Sequence, residues 1–187
     1  MSHVRFATVR DLFDNFPSAA GDVGQAEEGL GSLDYLSRLI ASQKWEPAIS
    51  FCAYLLPRRV AVAWASRSLR KMVSAPRPDE DRMLGFAEAW VEDPEEPRRR
   101  KVLSAGTVGD TKSPATWIAL AAGWSGGSIV PENMGHAPAD PEQTAKAVRV
   151  ALFIALSRLD PKEKQRVMTA CLQDGMQLAG GAPGSSH

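Results

Sequence analysis

The sequence predicts an all-α fold, a compact single-domain bundle of about seven or eight helices. Three observations predict it. Apolar residues recur at helical spacing in almost every segment. Period-2 runs with β-branched enrichment are nearly absent, as are the hairpin turns that would join them. Proline and a capping residue mark several helix starts. With 44% apolar residues in 187, the chain has enough material for a real core.

Each element follows from local chemistry. A short helix is expected around Thr8 to Asn15, stopped at Phe16-Pro17, with Ser18 capping another brief turn before a Gly21 to Gly31 loop. Ser32 begins a clearer helix with Leu33, Leu36 and Ile40 on one stripe. Trp45 to Leu56 is more apolar, and Ile49, Cys52 and Leu56 align on it. Pro57 cannot continue that helix but can open the next, which predicts a helix–proline–helix corner. The next helix runs from Arg58 to about Val73 with Val60 and Trp64 inward. Arg59, Arg67, Arg70 and Lys71 spread over roughly a third of its circumference.

Pro76-Arg77-Pro78 separates the following helix, whose first turn holds Asp79, Glu80 and Asp81 where the helix dipole favours acids. Met83, Phe86, Trp90 and Val91 form its expected buried stripe. The acidic break Glu92-Asp93-Pro94-Glu95-Glu96-Pro97 precedes Arg98-Arg99-Arg100-Lys101, and blocks of opposite sign so close together should pair with each other. Ser113-Pro114 starts a helix with Trp117, Leu120, Ala121 and Trp124 on its face, ended by Ser125-Gly126-Gly127-Ser128. Asp140, Pro141 and Gln143 form the best-marked start, and the helix behind it is apolar nearly all round, which predicts a central position. Asp160-Pro161-x-Glu163 repeats the signal for a last helix with Val167, Met168, Cys171 and Leu172 inward. The organisation expected is 1–31 as short helices and a loop, 32–179 as the helical domain and 180–187 as a flexible tail.

Composition narrows the function. Twenty-two basic residues balance 22 acidic ones, so neither nucleic acid nor an anionic membrane is an expected partner. The N-terminus carries no apolar signal segment and no stretch reaches about 20 uninterrupted apolar residues, which points to the cytoplasm. Of three histidines, only His136 is internal, in a loop that reads as exposed. Cys52 and Cys171 fall on apolar stripes and read as inert buried thiols. No catalytic residues, metal ligands or cofactor are expected. Gly106 to Ser113 falls one residue short of a phosphate-binding loop, with Thr111 where glycine is needed and no strand before it. The Gly126-Gly127 loop follows a helix C-terminus, where carbonyls are free and phosphate is repelled. Trp64 with Arg59, Arg67, Arg70 and Lys71 is the expected partner-binding surface, because tryptophan and arginine dominate binding hot spots.

Three segments also carry a resemblance: Ala48-x-x-Phe51-x-Ala53-Tyr54-x-Leu56-Pro57-Arg58-Arg59-x-Ala61-Val62-x-Trp64-Ala65, then Ala119-x-Ala121-Ala122-x-Trp124-Ser125-Gly126-Gly127-Ser128-Ile129-x-Pro131, and Asp174-Gly175-x-x-x-Ala179-Gly180-Gly181. The chain resembles a family of small uncharacterised bacterial proteins, many of which are encoded in type VI secretion gene clusters. The likeness spans roughly 33–181 and departs from the family at Ala63, where a bulky aromatic is usual. It implies an accessory role and transfers no catalytic residue. The expected function is a non-enzymatic adaptor or chaperone that binds a secreted effector or a spike component. The alternatives are an immunity protein, hinted at by Glu92 to Glu96, and a small hydrolase or nucleotide-binding protein using His136 or the Gly106–Ser113 loop.

Overall fold

A computed structural model describes residues 5–25, 29–73 and 75–180. Among them the chain forms ten α-helices and one 3-10 turn and no named strand: α1 Val9–Asn15, α2 Ala19–Val23, α3 Ser32–Ala41, α4 Trp45–Leu55, α5 Arg58–Met72, α6 Pro78–Glu92, α7 Glu96–Thr107, α8 Pro114–Gly123, the turn Glu132–Met134, α9 Gln143–Ser157 and α10 Pro161–Leu178. The all-α class is as expected. The helix number exceeds the expectation: α2 is formed where a brief turn was expected, and α7 is formed over the Arg98–Lys101 charge block. His3, His187 and the tail beyond Gly180 lie outside the described residues.

Helix starts follow their local signals. Asp160 Oδ1 accepts from the amides of Lys162 and Glu163, each at 3.1 Å, with Pro161 in the first turn. At α9, Asp140 Oδ1 accepts from Glu142 N at 2.8 Å and Gln143 Oε1 accepts from Asp140 N at 3.0 Å. Only the Gln143 half of the expected capping box forms, Asp140 Oδ1 serving the Glu142 amide instead, and regular helix begins only at Gln143. Two hydroxyls expected as caps do other work: Ser18 binds the Glu142 carboxylate with its amide and its hydroxyl, and Ser113 donates to Glu80 at 2.8 Å.

α8 is the most enclosed helix. It packs against α5, α6, α7 and α9, and Ile118, Ala119, Ala121 and Ala122 are wholly buried. The expectation put α9 at the centre, yet Phe153 and Ile154 on α9 are only half-buried. Small residues explain the difference, because Ala and Gly on α8 let backbones approach. A Cβ on Gly123 would stand 2.7 Å from Leu103 of α7.

α6 is turned from its expected phase: Leu84, Ala87 and Trp90 face the core, while Met83 and Phe86 sit at its margin. Phe86 instead takes the Lys101 ammonium over its ring at 4.4 Å. α3 likewise buries Tyr35, Leu36 and Leu39, with Leu33 and Ile40 at the edge.

The N-terminal arm belongs to the core. Leu12, Phe16 and Val23 are buried, and Phe16 meets the Tyr54 ring at 5.5 Å. Asp22 of α2 accepts from Tyr54 Oη at 2.7 Å and pairs with Arg149 of α9 at 2.6 Å, while Arg149 Nε donates to Ser50 at 2.8 Å. Burial pushes the Tyr54 phenol above its ordinary pKa, reinforced by the Asp22 carboxylate it donates to.

Candidate functional site

The five residues of the expected surface separate into three kinds. Trp64 is not on the surface at all. It is fully buried, and its indole N–H donates to the Cys171 carbonyl at 2.8 Å. Its place depends on α10, which crosses α5 at Gly175. A Cβ there would stand 3.2 Å from the Trp64 ring and 2.5 Å from Cys52 Sγ. The missing side chain leaves room for Cys52 Sγ and for the edge of the indole.

Arg70 and Lys71 are exposed but already paired. Arg70 holds both oxygens of Glu88 at 2.9 Å and also bonds Asp81. Those carboxylates raise its pKa, so it stays charged and committed. Lys71 pairs with Asp174 of α10.

Arg59 and Arg67 remain. Arg59 Nε donates to Val91 O at 2.7 Å and Nη2 to Glu92 O at 3.1 Å, capping the C-terminus of α6 with a guanidinium. No carboxylate neutralises it among the described residues. Arg67 is exposed and has no hydrogen-bond or ion-pair partner among them. The two arginines flank a groove of about 610 Å³ where α5, α6 and the end of α10 meet. Val60, Ala63, Val91 and Leu178 line it, all half-buried, together with Ser66, Glu88 and Glu92. Ala63, the position where the resemblance expects an aromatic, therefore lies in this groove.

The other candidates are taken up by the fold. His136 is exposed, with no hydrogen bond to its ring among the described residues. Around 106–113 the backbone serves other side chains: Thr111 O accepts from Trp117 Nε1 at 2.8 Å, and Lys112 O from Arg158 at 2.7 Å. A helix, not a strand, leads into it. Cys52 and Cys171 are buried free thiols. Burial pushes Cys171 up to about 12, partly offset by Ser68, whose hydroxyl lies 3.2 Å from its sulfur. Burial raises Cys52 as well. Both are neutral and shielded at physiological pH. Among the described residues no three His, Cys, Asp or Glu side chains gather as a metal site would need.

The charge blocks at the α6–α7 boundary do pair. Arg98 holds Asp93 at 2.9 Å, and Glu96 is held by Arg99 at 2.6 Å and Arg100 at 2.9 Å. Sequence reasoning missed that Arg99 is only 3% exposed. Its guanidinium also donates to Gly123 O, at the end of α8, and to Ser128 O at 2.9 Å. Gly127, at φ +60°, passes so close that a Cβ would meet Nη2 at 2.7 Å. The free carbonyls expected at this helix end are thus met by a buried arginine. A signal existed: Arg99, Val102, Leu103 and Gly106 follow the i, i+3, i+4, i+7 spacing of one buried stripe.

An all-α helical protein with an open groove is the class these features define. The chain belongs to a family of unknown function, DUF6931, whose model matches residues 35–179. No curated protein and no solved structure matches it. No helix among the described residues is long and apolar enough to cross a membrane.

Proposed function

We propose that this protein is a non-enzymatic, protein-binding accessory, an adaptor or chaperone serving bacterial type VI secretion from the cytoplasm. The groove between α5, α6 and α10 is its docking face. One observation carries the reading: an apolar-lined groove flanked by Arg59 and by Arg67, a cation left without a partner among the described residues. Apolar surface with arginine at its rim is the composition of interface centres. The type VI setting is supported by the likeness of the three sequence segments.

The test compares proteins co-purified from the native host with the wild-type chain and with an Ala63→Trp chain, whose indole fills the groove. Wild type should recover a secreted effector or a spike component, and Ala63→Trp should lose it while keeping its thermal unfolding midpoint. Recovery of no secretion component by wild type would refute the setting. Equal recovery by both chains would refute the face.

A further inference from the structure

We propose that the groove receives one amphipathic helix of a partner protein, bearing two acidic residues about two turns apart on either side of an apolar patch. This rests on the reading of the groove as a docking face and names what docks there. Along α5, Arg59, Val60, Ala63, Ser66 and Arg67 occupy positions i, i+1, i+4, i+7 and i+8, which fall on one stripe of the helix. The two arginines are eight residues apart, about 12 Å along the axis. Apolar side chains fill the interval, and Val91 and Leu178 line the groove with them.

The charge balance selects the sign of the occupant. Both oxygens of Glu88 are taken by Arg70. Glu92 is the one lining carboxylate without an ion pair among the described residues. Against it stand two guanidiniums which, among the described residues, are unpartnered at Arg67 and bonded only to backbone carbonyls at Arg59. An excess of unneutralised cation over an apolar floor attracts carboxylates. Ser66, 2% exposed, also lines the groove.

Backbone chemistry selects a helix over an extended strand. The groove walls are helices, whose amides and carbonyls bond within themselves, so no sheet edge is offered. An extended segment would press its own unpaired amides onto Val60, Ala63, Val91 and Leu178, which is costly. A helix carries its backbone bonds with it. Acids at i and i+7 are about 10.5 Å apart along its axis, close to the interval between the two arginines.

The probe is a synthetic alanine-rich peptide with leucines at i+3 and i+4 between glutamates at i and i+7, beside a counterpart with lysines at i and i+7. Methyl resonances of the full-length protein report the site. The glutamate peptide should shift Val60, Ala63, Val91 and Leu178, and the lysine peptide should bind at least about tenfold more weakly. Arg67→Glu should erase that preference at an unchanged melting temperature. Ala63→Met, which closes the groove without altering charge, should abolish binding of either peptide. Equal binding of the two peptides, shifts confined to another face, or an undiminished preference in Arg67→Glu would each overturn the inference. So would concentration-dependent shifts at these methyls without peptide, which would make a second copy of the chain the occupant. Charge-selective peptide binding with no secretion component recovered from the host would leave this inference standing and remove only the cellular role.

Discussion

Arg99 at the corner of α7 and α8 and Arg67 on the groove of α5 and α6 carry one side chain into opposite surroundings. Arg99 is 3% exposed, and its donors reach Gly123 O, Ser128 O and the Glu96 carboxylate. Arg67 is exposed and bonds nothing among the described residues. A guanidinium removed from water must have its donors met, so the Arg99 corner is closed and structural. One left in water beside apolar surface imposes nothing on the fold, and it keeps all its donors for another molecule. The difference separates an arginine that holds helices together from one whose donors stay available to the proposed partner.

The contrast can be broken from either side. Arg99→Met has the largest expected effect. It strands two buried carbonyls and frees Glu96, and should cost about 3 kcal/mol in urea unfolding. If the loss is under about 1 kcal/mol, the corner is not the closed structure described. Gly127→Ala comes next. It imposes a left-handed conformation on a side-chain-bearing residue and sets a Cβ 2.7 Å from the guanidinium. Its expected cost is about 1–2 kcal/mol by thermal unfolding.

Glu96→Gln sharpens the comparison through pH. Its hydrogen bond to Arg99, with help from Arg100, holds the Glu96 carboxyl below its ordinary value, about 4.3. The folded state therefore favours the ionised form. The resulting stabilisation is fully present above the ordinary value and fades as pH falls through the lowered one. Wild type should exceed Glu96→Gln in stability by a constant margin from pH 7 to about 5.5, and the margin should start to narrow below about pH 4.3 and close only below the lowered folded value. A margin that widens on acidification would contradict the assigned pairing. Arg67→Glu has the smallest expected effect, within about 0.5 kcal/mol of wild type in the same assays. A larger loss would mean the groove arginine supports the fold after all.

What was legible in the sequence is what neighbours along the chain determine. The Asp160-Pro161 start and the Pro57 corner each need only a few consecutive residues and stand where they were expected, whereas the start expected at Asp140 and Pro141 comes only at Gln143. The inward faces of α3 and α6 were harder, because each apolar stripe admits a neighbouring phase that only packing selects. At the site, two of five expected residues flank the groove. Trp64, read as inward on α5, is indeed buried, so it cannot belong to the surface with which it was also grouped. Arg70 and Lys71 were spent by Glu88, Asp81 and Asp174, partners supplied by other helices. Periodicity reports which residues share a face, and only the assembled bundle reports which of those faces is already occupied.

The arm from 5 to 25 lies ahead of the family-matched stretch, yet it supplies Asp22 to Tyr54 and Arg149 and lays Leu12, Phe16 and Val23 into the interior. A gene trimmed to begin at Tyr35 would yield a polypeptide with a raw greasy wall and an Arg149 stripped of its carboxylate. Its indiscriminate stickiness in a binding screen would be a scar of the trimming, easily mistaken for recognition.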